Sequence, residues 1–575
     1  SLDMQKIDYN DQKVLDSLGT GRTDGVFQLE SAGMKSFMKE LKPENLEDII
    51  AGISLYRPGP MDFIPQYIKG KNNQDSVTYA CPQLEAILKP TYGCIVYQEQ
   101  VMQIVRDLAG YSWGRSDLVR RAMSKKKAYV MEQERKNFIY GNPDEGVKGC
   151  VNNGIDEKVA GKIYDDMIDF AKYAFNKSHA ACYAVVSFQT AYLKTYYPVE
   201  FMAALMTSVI DNTSKVAGYI YACKQMNIGI LPPDVNESQM EFTVENGKIR
   251  FAMAAIKSLG RPTIQAILKE RGENGSFISM QDFVTRMSQA LNRRAIENFV
   301  KAGAFDTFGH TRKSMMIVSE SMLDSAIKHN KDSMTGQMSL FDFAAEEDKK
   351  AFEIRIPDVV EYTKEELLGY EKEILGVYVS GHPLDEYTGM VNKYITNVSS
   401  DFEVDDELGE TKARDGAIAT IGGLITEKTI KTTKKGQLMA FLTVEDVVGT
   451  VEVVVFPNSF TANRVVIDHA EKVFVTGKVQ ANVDENAKLI CDKVVDFASI
   501  PRKLWIRFAS LSDYEDKKDE LYGILYNSDG KDTVVIYCTK ENKRLTLPAS
   551  RTIRVDSELI QKLQSMYGEK NVTTT

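Results

Sequence analysis

The sequence predicts a multidomain protein of the α+β class. Its 575 residues exceed what one hydrophobic core organises. Apolar positions recur at three- and four-residue spacing through residues 1–235, then give way to strand alternation after residue 415. Hairpin signals and a highly charged stretch lie between the two regimes. Hydrophobic content of 43% with 26% charged residues is the balance of a soluble globular chain. No run approaches the roughly eighteen apolar residues of a membrane span, so no membrane partner is expected. The opening Ser1-Leu2-Asp3-Met4-Gln5-Lys6 has no apolar signal core and no initiator Met, and reads as the start of a piece of something longer. Seven cysteines at irregular spacing, without a CxxC pair, argue against structural zinc and a disulfide framework and fit a reducing cytoplasm.

The elements follow in order. Asn45–Ile53 and Gln98–Val105 carry the helical period, punctuated by Pro58-Gly59-Pro60 and Tyr92-Gly93. Ser187–Met206 is strongly apolar and predicts a buried helix broken at Pro198. Phe242–Phe251 reads as strand, Asn-Gly turn and strand, the strongest short hairpin signal in the chain. Ile256-Lys257-Ser258-Leu259-Gly260 then leads into a helix over Thr263–Arg271 and predicts a helix-hairpin-helix turn, with Ser258 where a glycine is expected. A second helical pair is expected around Leu291–Arg294 and Ala302–Phe305. Residues 344–414 read as a charged connector, partly helical over 344–373, with a solvated acidic linker over 401–410. Strands at Ala417–Ile425, Met439–Asp446, Gly449–Phe456 and Lys472–Val479 predict a small β-barrel of OB type over 415–498. Residues 499–575 alternate strand-like Thr533–Tyr537 with helix-like Ser557–Leu563, a small α/β domain.

The chemistry-bearing residues are mostly cations. Arg120, Arg121, Lys125, Lys126 and Lys127 are concentrated on a chain of net charge −9, a pattern that suits a polyphosphate or nucleic-acid backbone. On a helix Arg120 and Arg121 point about 100° apart and could hold two different phosphate oxygens. His179 and Tyr183 share a helix face, with Lys177 beside them, so a ring could stack on a base while the lysine holds phosphate. Lys257 and Gly260 mark the first hairpin turn, and Arg293 and Arg294 the second pair. Lys428, Lys431, Lys434 and Lys435 crowd one loop of the barrel. Gln337, Leu340 and Phe341 stand in polar surroundings as a peptide plug for an apolar pocket. Each feature alone also fits an ordinary role: a solvated helix face, a packed histidine, a helix corner or a hairpin tip. Asp165-Asp166 is expected to be exposed on a helix, and Walker A, GxSxG and HExxH patterns are absent.

Six motifs in order change the weighting. Gly25–Ser31 (GVFQLES), Leu55–Pro60 (LYRPGP), Tyr92–Met102 (YGCIVYQEQVM), Arg120–Met123 (RRAM), Phe175–His179 (FNKSH) and Ser380–Pro383 (SGHP) closely resemble the bacterial DNA polymerase III α family, the C-family replicative polymerases. The resemblance implies a fingers domain at 1–235, tandem helix-hairpin-helix and clamp-binding region at 236–343, an OB domain at 415–498, and a C-terminal domain that contacts the clamp loader in some members. It implies that Arg120, Arg121 and Lys125 meet the triphosphate of a dNTP, with Lys177 and His179 lining the same site. It implies that Gln337, Leu340 and Phe341 enter a sliding clamp, and that primer–template DNA and other replisome subunits are partners. The family's Mg²⁺-binding aspartates lie on a palm domain that precedes the first motif, so this stretch alone is expected not to polymerise. The competing readings are a non-catalytic DNA- and clamp-binding module and, more remotely, an RNA-binding OB protein.

Overall fold

A computed structural model describes residues 2–57, 59–124, 128–171, 175–334, 354–404, 410–482, 485–525, 529–548 and 551–574. Residues 2–205 cluster in one compact unit, and residues 206–404 with 411–574 in a second.

The first unit is helical: α1 (Gln12–Gly19), α2 (Ala32–Leu41), α3 (Leu46–Leu55), α4 (Ile64–Asn72), α5 (Pro82–Leu88), α6 (Gln98–Ala109), α7 (Trp113–Ser124), α8 (Ala128–Tyr140), α9 (Glu157–Ala171) and α10 (Lys177–Tyr196). α11 (Pro198–Ser208) follows in sequence. Small residues on α10, Ala180, Ala184 and Ala191, let it pack against the almost wholly buried α3. The apolar run after Ser187 is the latter half of α10, which begins earlier than the hydropathy indicates. Val186 and Tyr196 face outward, so one face is buried rather than the whole helix. The break at Pro198 is present, with the proline opening α11 where its missing N–H costs nothing. Asp165 and Asp166 are exposed on α9.

Beneath α3 lies an ionic knot. The Lys71 side chain is 3% exposed and Asp48 2%, with Nζ 3.5 Å from the carboxylate. Lys71 also donates to Glu44 at 2.9 Å and the Lys42 carbonyl at 3.1 Å. Tyr67 and Tyr92 both point their hydroxyls at Asp48 Oδ1 from 3.4 Å. Burial pushes the Asp48 carboxyl above its ordinary range against the opposing pull of the Glu44 amide and Lys71.

In the second unit α12 (Thr213–Gln225) precedes a three-stranded sheet of order β1-β3-β2, with β1 (Ile230–Leu231), β2 (Thr243–Glu245) and β3 (Lys248–Arg250). The Asn-Gly hairpin forms with both turn residues at positive φ, 50° and 75°. α13 (Arg261–Asn274), α14 (Met280–Met287), α15 (Arg293–Lys301) and α16 (Arg312–Met334) follow. Phe283 meets Phe299 and Phe305 edge-on in their shared core, and those two rings are tilted against each other. Ser258 sits at φ 61°, the left-handed conformation a glycine would adopt freely, while Gly260 has an ordinary φ of −71° and caps α13. Ser258→Gly is therefore expected to stabilise the hairpins by about 0.5–1 kcal/mol in urea titrations. A loss of stability would show that the serine side chain compensates its strained backbone.

The charged connector carries the helical stretch expected within it. A capping box, Thr363 with Glu366, starts the helix Lys364–Leu375, whose Leu368, Ile374 and Leu375 are buried. Fully buried Glu371 accepts the amides of Val379 and Ser380 at 3.0 and 2.9 Å and thereby holds the Ser380–Pro383 motif. Asp401 was expected in a solvated linker. It is instead nearly buried, paired to Lys412 at 2.6 Å and bonded by Asn397 at 3.1 Å. Lys412 lies eleven residues beyond Asp401, and the surrounding charge masks that pairing in the sequence.

The barrel comprises β4 (Ile418–Thr432), β5 (Leu438–Glu445), β6 (Thr450–Val455), β7 (Lys472–Gln480) and β8 (Lys488–Asp496). It closes in the order β4-β5-β6-β8-β7, with β6 and β8 parallel and the helix Pro457–His469 between β6 and β7, an OB arrangement. The last domain is strand–helix–strand–strand–helix–strand. Its β9 (Lys503–Phe508), β10 (Thr533–Cys538), β11 (Lys543–Thr546) and β12 (Val572–Thr574) lie in the order β11-β10-β9-β12. Among the described residues no helix is long and apolar enough to cross a membrane.

Candidate nucleic-acid interface

In the first unit, α6, α7 and the start of α10 meet. Phe175 and Tyr97 form a parallel bridge, with the Gln98 amide donating to the Phe175 carbonyl at 2.9 Å. Gln98 Oε1 accepts from Arg120 Nη1 at 2.9 Å. Arg120 on α7 is thereby tied to the bridge residue Phe175, which precedes Lys177 and His179. Asn176 caps α10, accepting the His179 amide at 2.9 Å. His179 stacks against Tyr183 at 4.4 Å and Phe175 at 5.4 Å between centroids, and Arg57 lies over Phe175 at 4.3 Å. The shared helix face expected of His179 and Tyr183 is present.

The two arginines depart from expectation. Rather than diverging, they converge on one carboxylate: Arg120 Nη2 and Arg121 Nε lie 2.7 and 2.8 Å from the two oxygens of Asp117. Asp117 precedes them by three and four positions, the spacing at which a helix brings side chains together. The Arg120 hydrogen bond holds the Asp117 carboxyl below its ordinary range. Lys177 is likewise matched, to Glu47 at 2.9 Å, and lies 5.3 Å above the Tyr97 ring. Glu99 accepts the Lys177 amide and the Asn176 side chain. Asp117, Glu47, Glu99 and Gln98 were not assigned a role from sequence; Asp117 had a readable helical spacing, and Gln98 and Glu99 lie within the Tyr92–Met102 motif. Lys125 lies outside the described residues.

The helix-hairpin-helix region forms a hollow of about 550 Å³ lined by Lys257, Ser258, Arg293, Arg294, Lys301 and the acidic Glu297 and Glu373. Two turns distant in sequence thus bring Lys257, Arg293 and Arg294 together. Gly260 is not part of the lining; its place is the cap of α13. The Lys257 carbonyl accepts from Asn298 at 2.7 Å, fixing one turn to α15. Arg293 is engaged by Glu297 at 3.2 Å and by Glu320, and Lys301 by Glu373 at 2.9 Å. The Lys257 ammonium and the Arg294 guanidinium have no hydrogen-bond or ion-pair partner among the described residues. Uncompensated cations beside a hollow are what a phosphate chain can use.

The four barrel lysines do not share one loop. Lys428 and Lys431 are within β4, and only Lys434 and Lys435 occupy the β4–β5 turn, because β4 extends through Thr432. Lys428 donates to the Ile467 carbonyl at 3.1 Å at the end of the helix Pro457–His469, where cations suit the dipole. Lys431 lies over Phe441 at 5.1 Å, in a groove of about 760 Å³ across β4, β5, β6 and β8. That groove also carries Glu403, Glu427, Glu452 and Glu485, so it is less basic than the lysine count implied. Gln337, Leu340 and Phe341 lie outside the described residues, and no group of three or more His, Cys, Asp or Glu among the described residues could hold a metal.

Three family models match this chain. Residues 1–146 match the bacterial DNA polymerase III alpha subunit finger domain, residues 227–315 a helix-hairpin-helix motif, and residues 419–496 an OB-fold nucleic acid binding domain. Similar proteins include the DNA polymerase III subunit alpha of Bacillus subtilis, 37% identical over 99% of this chain and 49% of that protein. That of Thermus aquaticus is 41% identical over 80% of this chain and 36% of its own length. That of Halalkalibacterium halodurans is 34% identical over 100% and 50%. The chain spans about half the length of the curated relatives it matches.

Proposed function

We infer that this chain, a relative of the bacterial DNA polymerase III alpha subunits along nearly its whole length, supplies the DNA- and nucleotide-gripping part of a replicative DNA polymerase. The observation that carries the reading is the hairpin hollow, where Lys257 and Arg294 are exposed and form no ion pair among the described residues, with Arg293 beside them. Such a site takes the phosphates of duplex DNA without reading bases. The cluster of Arg120, Arg121, Lys177 and His179 is the seat for the incoming dNTP: a triphosphate would displace Asp117 and Glu47 from cations already held in place. Clamp attachment is assigned to Gln337, Leu340 and Phe341, and single-strand contact to Lys431, Lys434 and Lys435. The Mg²⁺-holding carboxylates that phosphoryl transfer requires come, in this reading, from a palm domain outside these residues.

Replacing Lys257, Arg293 and Arg294 together by alanine is expected to weaken binding to a labelled primer–template about thirtyfold, and to flatten the logarithmic salt slope by about 2–3. An unchanged slope would remove the hollow from the DNA path. A non-catalytic clamp- and DNA-binding module would pass this test as well. Mixing the chain with Mg²⁺, primer–template and dNTPs is expected to give no extension, and extension would place the metal-binding carboxylates within this chain.

A further inference from the structure

We propose that the face of the C-terminal sheet opposite its two helices is a stacking platform for single-stranded nucleic acid. This goes beyond the polymerase reading, and residues 501–574 lie outside all three domain matches. The domain packs its two helices against one face of its sheet; on the other face Val535 is buried and Trp505 and Tyr537 are half-buried, while Lys503, Arg507 and Arg544 are exposed. Leu504, Ile506 and Phe508 of β9 and Val534, Ile536 and Cys538 of β10 pack on Tyr514 and Leu521 of one helix and Leu559 and Leu563 of the other. Strand alternation sends the intervening side chains to the opposite face. These are Lys503, Trp505 and Arg507 on β9, Thr533, Val535 and Tyr537 on β10, and Arg544 and Thr546 on β11.

The pairing register arranges them. Tyr537 stands opposite Arg507 on one side and Arg544 on the other, so one row across three strands reads Arg-Tyr-Arg. The neighbouring row places Trp505 beside Val535. Arg544 lies 5.7 Å over the Trp505 ring, and Arg507 5.9 Å over Tyr537. Tyr537 is steadied by its hydroxyl, which donates to Asn542 at 3.0 Å. These outward strand positions hold three cations and no carboxylate, on a chain of net charge −9. The strand repeat and the strand spacing set Trp505 and Tyr537 about 8 Å apart, within the span of an unstacked dinucleotide. Flat rings with guanidinium groups beside them serve both parts of a single strand: bases stack on rings, and phosphates meet cations. An acidic peptide would use the cations and leave the rings idle.

Trp505 supplies its own reporter, because the chain has two tryptophans. In the full chain carrying Trp113→Phe, oligothymidylate or oligouridylate is expected to quench Trp505 fluorescence saturably, and less so as salt rises. Adding Arg507→Ala and Arg544→Ala should weaken that quenching about tenfold, with far-ultraviolet circular dichroism unchanged. Adding instead the Lys257, Arg293 and Arg294 substitutions should leave it intact, which separates this site from the duplex grip. Absence of quenching by both oligomers overturns the proposal. So does quenching that survives loss of the two arginines or vanishes with the hairpin cations. Quenching by poly-glutamate alone would overturn it in favour of a protein partner.

Discussion

Asp48→Ala is expected to cost the N-terminal unit about 3–5 kcal/mol, because it strands Lys71 in a site built for a pair. The ammonium would keep Glu44 and the Lys42 carbonyl, but Glu44 is mostly exposed and cannot replace a buried carboxylate. Tyr67, Tyr92 and the Glu44 amide would lose their common acceptor at the same time. Replacing both charges, Asp48→Leu with Lys71→Met, should recover most of the loss, since desolvating an ion pair is itself costly. Urea unfolding of the two variants provides the comparison. A change below 1 kcal/mol for Asp48→Ala would mean that water reaches the site. The damage should extend to the proposed nucleotide seat: Asp48 adjoins Glu47, and Glu47 pairs with Lys177.

The second large effect is one of pH. Burial holds the His382 imidazole down at about 4, against an ordinary value of 6.5. Its Nδ1 accepts the Leu384 amide at 3.0 Å, a bond that protonation would break. Asp385 favours the charged form, and Lys224 and Lys372 oppose it. The unfolded chain therefore takes up a proton near pH 6.5 while the folded chain does not. Stability from this group is full above pH 6.5 and falls as the pH drops toward 4. The difference amounts to about 3 kcal/mol. Denaturant titrations at pH 7.5 and 4.5 should show His382→Asn losing correspondingly less than the parent, since asparagine offers an uncharged acceptor. Equal losses would assign the acid sensitivity to carboxylates elsewhere.

What the sequence made legible follows its local signals. The Asn246-Gly247 turn, the break at Pro198 and the strand alternation of the barrel are written in adjacent residues, and all are present. Pairings set by distant chain are not written that way. Nothing near Arg120 announces Gln98, nothing near Lys177 announces Glu47, and nothing near Lys257 announces Arg294. Lysine spacing suggested one loop on the barrel, but how far β4 runs before turning decides where each lysine points. Charge also concealed order: the acidic stretch containing Asp401 holds a nearly buried carboxylate.

The closure of the barrel through parallel β6 and β8 has a consequence for how the protein is made. Hairpin β4-β5-β6 can form as soon as it leaves the ribosome, and β7 can then join β4. The remaining open edges of β6 and β7 are sealed only when residues 488–496 arrive, because β8 alone pairs with both. Until then a nascent chain exposes two unsatisfied strand edges rich in valine, the kind of surface on which chains associate. The interval is short at ordinary synthesis rates, roughly a few seconds for the linking residues. A pause between β7 and β8 would lengthen it, making the pace of translation over this segment a determinant of how much chain reaches the native barrel.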